Sequence, residues 1–106
     1  LVLPTVPGQC SSVWAQYAIL AENGTYRGTI IKQLKAHKIP TAVYYPVPIH
    51  LQEAMRDLGH EKGDFPVSED CADRIFSIPM HPYLKESEQK CIAGLIGSAV
   101  KQVNDC

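Results

Sequence analysis

The chain has no long hydrophobic run, no cluster of lysine and arginine, and no cysteine pair spaced as C-x-x-C. Each absence removes a class of function. The longest apolar stretches fall far short of the ~20 residues that a membrane-crossing helix needs, so no membrane partner is expected. Ten basic residues against eleven acidic ones leave a net charge of −1. A protein that grips phosphate backbones carries a basic face, so nucleic acid is not an expected partner either. Cys10, Cys71, Cys91 and Cys106 are too scattered for a zinc knuckle or a thioredoxin-like site. In a chain with apolar residues enough for a core they read as reduced thiols of a cytoplasmic protein rather than as a disulfide framework. Nor is there a nucleophile beside a base, a phosphate-cradling glycine loop or a pair of carboxylates, so no catalytic residue and no metal ligand is assigned. Leu1 is not a methionine and opens no secretory signal, and the start looks like a cut through a longer polypeptide.

What is present fits one soluble domain: 106 residues, 45% of them apolar and 20% charged. Ser12 to Leu20 sets Val13, Ala15, Tyr17 and Ile19 against Trp14, Gln16, Ala18 and Leu20, which predicts a strand apolar on both faces. Asn23 or Thr25 can cap a helix in which Tyr26, Ile30, Leu34 and His37 share a stripe and Pro40 is the stop. Thr41 to Tyr45, "TAVYY", reads as a second strand. Leu51, Ala54, Met55 and Leu58 fall at i, i+3, i+4 and i+7, a short amphipathic helix closed by Gly59. Asp64 offers a cap, and Pro66 a first turn, for another helix running to Ile75. "RIFSIPM" then gives a third strand, stopped by Pro79 and Pro82. From Glu86 onward, Ile92, Leu95, Ile96, Ala99, Val100 and Val103 hold one apolar stripe. The order is β-α-β-α-α-β-α, an α+β layer of about three strands with helices packed against it.

The most unusual stretch is "YYPVPIHLQ", residues 44–52, with two prolines one residue apart. Proline fixes φ near −65° and drives its predecessor toward extended geometry, so Tyr45 to Pro48 is expected to form a stiff, nearly straight connector. His50 at its exit suits either a helix-capping donor or a ligand-binding group. Tyr44 and Tyr45 suit either a core or a wet binding surface. His81 follows a similar connector, "SIPMH", whereas His37 and His60 read as surface residues.

The ordered set "SSVWAQYAIL", "LKAHKIPTAVYYPVPIHLQEAMRDLG" and "GDFPVSEDCADRIFSIPMHPYLKESEQ" resembles the C-terminal small domain of the DegT/DnrJ/StrS sugar aminotransferases, and it covers nearly the whole chain. This family consists of fold-type-I pyridoxal-phosphate enzymes. The resemblance implies that residues 1–106 are the small domain of a cytoplasmic, homodimeric transaminase, with the large cofactor-binding domain absent from this chain. It implies a substrate too: a nucleotide-linked keto sugar, aminated at the expense of a donor such as glutamate for surface polysaccharide or antibiotic synthesis. The Schiff-base lysine and most pyridoxal phosphate contacts belong to the missing domain in such enzymes. None of Lys32, Lys35, Lys38, Lys62, Lys85, Lys90 and Lys101 is therefore given that role. The resemblance puts the proline connector on the sugar-nucleotide side, which makes Tyr44, Tyr45 and His50 the expected substrate-binding residues. Two positions depart from the family pattern: Tyr44 stands where histidine is frequent, and Lys85 where a capping Ser or Thr precedes the last helix, leaving Glu88 with half of a capping box. The rival reading is a non-catalytic α+β interaction or effector-binding module.

Overall fold

The computed structural model describes residues 1–104. Its sheet is a two-stranded antiparallel ribbon in which β1 (Tyr17–Leu20) pairs with β2 (Ile75–Ile78) in the register Tyr17↔Ile78 to Leu20↔Ile75. Ile19 and Phe76 are direct cross-strand partners, and both are buried on the ribbon's core face. A single bridge extends each edge. Val2 pairs with Leu20 on one side, and Ala42 exchanges two backbone hydrogen bonds with Ser77, at 2.7 and 3.1 Å, on the other.

Two of the three expected strands are therefore shortened. The strand foreseen from Ser12 begins only at Tyr17 because Trp14 sits at φ 49°, in the left-handed region, which breaks the extended run. The strand foreseen at Thr41–Tyr45 contributes only the Ala42 bridge. Tyr45 turns to φ 58°, and the following prolines have no N–H to continue a ladder.

Helix α1 (Gly24–Ala36) starts where Asn23, in extended geometry, accepts a hydrogen bond from the Tyr26 N–H at 2.9 Å, so Asn23 rather than Thr25 is the cap. Tyr26, Ile30 and Leu34 form its buried stripe. His37 leaves that stripe: it is the exposed C-cap residue. The helix ends four residues before Pro40 by its own backbone chemistry. Lys38 adopts φ 60°, its N–H bonds the Lys35 carbonyl at 3.0 Å, and the Ile39 N–H bonds the Leu34 carbonyl at 3.0 Å. These are the two hydrogen bonds of a Schellman closure, with lysine at the position glycine usually takes.

Helix α2 (Pro66–Arg74) has Phe65 at its N-cap position with no side-chain cap, so Asp64 is not the cap expected for it. Two arginines sew α2 to the start of the fold. Arg74 Nε donates to the Ala21 carbonyl at 2.7 Å, and Arg27 from α1 donates to the Ala72 carbonyl at 2.8 Å. Helix α3 (Glu86–Asn104) opens with the Lys85 N–H bonded to Glu88 Oε2 at 2.8 Å, the surviving half of the capping box. Ile92, Ile96 and Ala99 bury its stripe in the core shared with α1 and the ribbon, and the Tyr26 hydroxyl donates to the Val100 carbonyl at 3.0 Å. Leu95 and Val100 flank this stripe half-buried, while Val103's side chain and Cys106 lie outside the described residues.

The amphipathic helix expected over Leu51–Leu58 is not an α-helix. Ile49–Leu51 and Glu53–Leu58 are two short 3-10 segments separated by Gln52 in extended geometry, and none of their apolar residues is buried in the core. Gly59 does close the second one, at φ 71°. Among the described residues no helix is long and apolar enough to cross a membrane.

Candidate functional site

The proline connector is pinned at both ends and exposed between them. Its first anchor is the Ala42 bridge to β2. Beyond it Tyr44 is 47% exposed and Tyr45 74%, followed by exposed Val47 and Ile49. The left-handed turn at Tyr45 makes this stretch an arch, not the straight rod expected from its prolines. A residue before proline is normally extended, so Tyr45 holds a costly backbone geometry, the kind of strain that persists where surrounding structure enforces it. Tyr44 also borders a recess of 210 Å³ between the arch, Gln16 and the Ser77–Met80 strand exit.

The second anchor is His50. Its side chain is only 8% exposed, and its Nε2 lies 3.0 Å from Glu69 Oε1, on α2. Sequence spacing gave no hint of this pair, whose members are nineteen residues apart. The same carboxylate oxygen accepts the Gly63 N–H at 2.7 Å. The Gly63 N–H, followed by the His50 ring, holds the Glu69 carboxyl below the usual glutamate range despite some desolvation. A carboxylate can only accept, so His50 Nε2 carries the proton in this pair.

Phe65 lies between two imidazoles, its ring centroid 4.8 Å from that of His50 and 5.1 Å from that of His60. Beside it, Asp64 Oδ2 accepts the Glu61 N–H at 3.0 Å and meets His60 Nδ1 at 3.2 Å; these two donors lower the Asp64 pKa. The loop 60–65 is thus a hydrogen-bonded wall behind His50. Asp64 serves that wall instead of the helix cap.

The structure keeps Tyr44 and Tyr45 together on the arch and sets His50 apart, turned into α2. His81 is exposed at the rim of a second, larger groove of 730 Å³, whose walls are mainly apolar: Leu1, Leu3, Trp14, Ile78, Ile92 and Ile96 among them. Cys10, Cys71 and Cys91 are free thiols. Among the described residues no group of three or more His, Cys, Asp or Glu could hold a metal ion.

Residues 1–96 match the DegT/DnrJ/EryC1/StrS aminotransferase family. The fold agrees: an aminotransferase of that family from Brucella abortus superposes with a TM-score of 0.79 at 44% identity, covering 91% of this chain and 25% of that one. DesV of S. venezuelae superposes with a TM-score of 0.77 at 28% identity, covering 92% and 26%. Among curated relatives, the UDP-2-acetamido-2-deoxy-3-oxo-D-glucuronate aminotransferase of Pseudomonas aeruginosa is 40% identical over 85 residues, which are 80% of this chain and 22% of that enzyme. A dTDP-3-amino-3,4,6-trideoxy-alpha-D-glucose transaminase of Streptomyces venezuelae is 29% identical over 86 residues, 81% of this chain and 22% of that enzyme. The chain belongs to the DegT/DnrJ/EryC1/StrS aminotransferase family, and it spans about a quarter of the length of the relatives it matches.

Proposed function

We propose that this chain is the C-terminal small domain of a cytoplasmic, homodimeric, pyridoxal-phosphate-dependent transaminase that moves an amino group from glutamate to a nucleotide-linked keto sugar. Tyr44 and Tyr45 are its direct contribution to the sugar-nucleotide side, and His50, expected beside them, contributes as the anchor of their arch. The observation that carries the reading is the family match over residues 1–96 together with the pair of tyrosines left exposed on a pinned arch. A phenol offers an apolar face to a base or sugar ring and a hydroxyl to its polar edge, which suits a nucleotide sugar.

Pyridoxal phosphate supplies an electron sink for amino transfer when a lysine of its enzyme holds it. This chain does not fit that task, because all seven of its lysines are exposed to solvent. Cofactor chemistry is assigned to the part of the relatives' length that this chain does not span, and binding to this one. A module without chemistry has less support: two relatives carry regulatory or sensory-transduction names, but aminotransferases and transaminases match over the same stretch of the chain.

The relatives' names place the keto or amino group at position 3 of the sugar. The test is therefore to supply the full-length polypeptide with glutamate and UDP- or dTDP-linked 3-keto sugars and follow the amino sugar. Product formation with any of these supports the assignment; an intact, cofactor-loaded enzyme that aminates only free amino-acid-derived keto acids defeats it.

A further inference from the structure

We propose that Glu69 is a positioning residue for the substrate-facing arch, acting through His50. The inference rests on the reading of Tyr44 and Tyr45 as substrate-facing and says how they are held. The arch leaves the ribbon at Ala42, whose two backbone bonds to Ser77 fix one end. The other end is fixed at His50, by the Glu69 carboxylate at 3.0 Å and the Phe65 ring at 4.8 Å. Between these ends the chain carries Pro46 and Pro48, whose fixed φ angles leave fewer torsions to absorb a shift at His50 before it reaches Tyr45. From just beyond His50, the Gln52 side chain adds a tie back to the span, donating to the Val47 carbonyl at 3.2 Å.

Glu69 is well placed to be the fixed point. It stands in the first turn of α2, where the helix dipole favours a carboxylate, and its other hydrogen bond, from the Gly63 N–H, holds the oxygen in place independently of His50. With Nε2 committed to Glu69 and the side chain only 8% exposed, His50 acts as an anchor whose ring reaches inward, and the tyrosines are the groups presented outward. The assignment gives a sharp chemical expectation. What Glu69 must supply is an acceptor oxygen, which glutamine retains and alanine does not.

The experiment uses the full-length polypeptide as wild type, Glu69→Ala and Glu69→Gln. Michaelis constants are measured separately for the nucleotide sugar and for glutamate. Glu69→Ala is expected to raise KM for the nucleotide sugar by about tenfold, leave KM for glutamate within about twofold, and be largely rescued by Glu69→Gln. Equal losses toward both substrates, or no rescue by glutamine, overturn the proposal. A second readout is independent of the substrate: with 3-fluorotyrosine incorporated, the fluorine signals of Tyr44 and Tyr45, assigned by Tyr→Phe substitution, should move or broaden in Glu69→Ala and return in Glu69→Gln. Unchanged tyrosine signals in a folded Glu69→Ala protein refute the positioning role even if the enzyme proves to act on something other than a sugar. Inactivity of the wild type toward all the nucleotide sugars, with the tyrosine signals responding as described, counts against the functional reading alone.

Discussion

Tyr45 concentrates two properties that are usually kept apart, a left-handed backbone and a large exposed ring. Strain at a solvent-facing aromatic has no packing benefit to set against it, which is the physical motive for the proposal that the phenol meets a ligand. Tyr45→Phe keeps the ring and the backbone and deletes one hydroxyl. In the full-length enzyme it is expected to lower kcat/KM for the nucleotide sugar by about 2- to 10-fold, the worth of one hydrogen bond, with an unchanged melting temperature. A lowered melting temperature with normal kinetics would return the arch to a purely structural role. Glu69 and Asp64 make a different, pH-linked prediction. Both have folded-state pKa values below their ordinary ones, so each contributes stability that is complete above about pH 4–4.5 and is lost as pH falls through the lowered value. Acid unfolding followed by circular dichroism should therefore show a steep limb below about pH 4. Glu69→Gln, which cannot ionise, should flatten it; an unaltered limb would mean that these hydrogen bonds are not kept in solution. None of this lay in local spacing. The positive φ at Tyr45 is carried by no glycine or asparagine, and the His50–Glu69 pair joins segments that only the tertiary fold brings together.

Among the elements, α1 shows how far pattern reading reaches. Its cap Asn23 and its stripe Tyr26, Ile30, Leu34 are visible in the sequence because capping and 3.6-residue periodicity are local. Its end falls short of the stop that Pro40 suggests, since Lys38 closes it in a conformation that composition does not announce. The segment 51–58 has equally regular spacing yet forms 3-10 turns, because an apolar stripe directs a helix only when something packs on it, and there Leu58 and Ala54 face solvent. Leu51 is half-buried and lies outside the core cluster, so it is no measure of core stability; Leu34, fully buried, is. Leu34→Ala is expected to cost about 2–5 kcal/mol, and Leu51→Ala clearly less. Within α1 two exposed substitutions should have opposite signs. Asn23→Ala removes the cap and should cost about 0.5–2 kcal/mol. Gly28→Ala adds a methyl group where nothing lies within 4 Å and should gain up to about 1 kcal/mol. Urea midpoints of the two variants shifting in the same direction would show that α1 is not formed as described.

At the scale of the whole molecule, one core carries everything. Ile19 and Phe76 from the ribbon, Tyr26, Ile30 and Leu34 from α1, and Ile92, Ile96 and Ala99 from α3 are a single cluster, and the arch, with its wall of residues 60–65, hangs from its edge. Burying each large side chain of α3 contributes roughly 1.5–3 kcal/mol, while net stabilities are about 5–15 kcal/mol. Ending the chain after Cys91 strips away Ile92, Ile96 and the Val100 carbonyl that receives the Tyr26 hydroxyl, so the shortened protein should show no cooperative melt.

The last expectation concerns what this core does not support. A lysine that holds pyridoxal phosphate has its ammonium partly desolvated, so that it loses its proton near neutral pH and can attack an aldehyde. Every lysine of this chain is exposed, on a helix or in a loop, with no apolar pocket around its ammonium. Mixed with pyridoxal phosphate, the 106-residue chain should therefore show no saturable one-to-one binding in an absorbance titration, only slow surface labelling that free amines compete away. The same titration on the full-length polypeptide should saturate at one cofactor per chain. Saturable, stoichiometric uptake by the 106 residues alone would overturn the proposed division of labour between a cofactor-holding portion and a domain that offers Tyr44 and Tyr45 to the sugar.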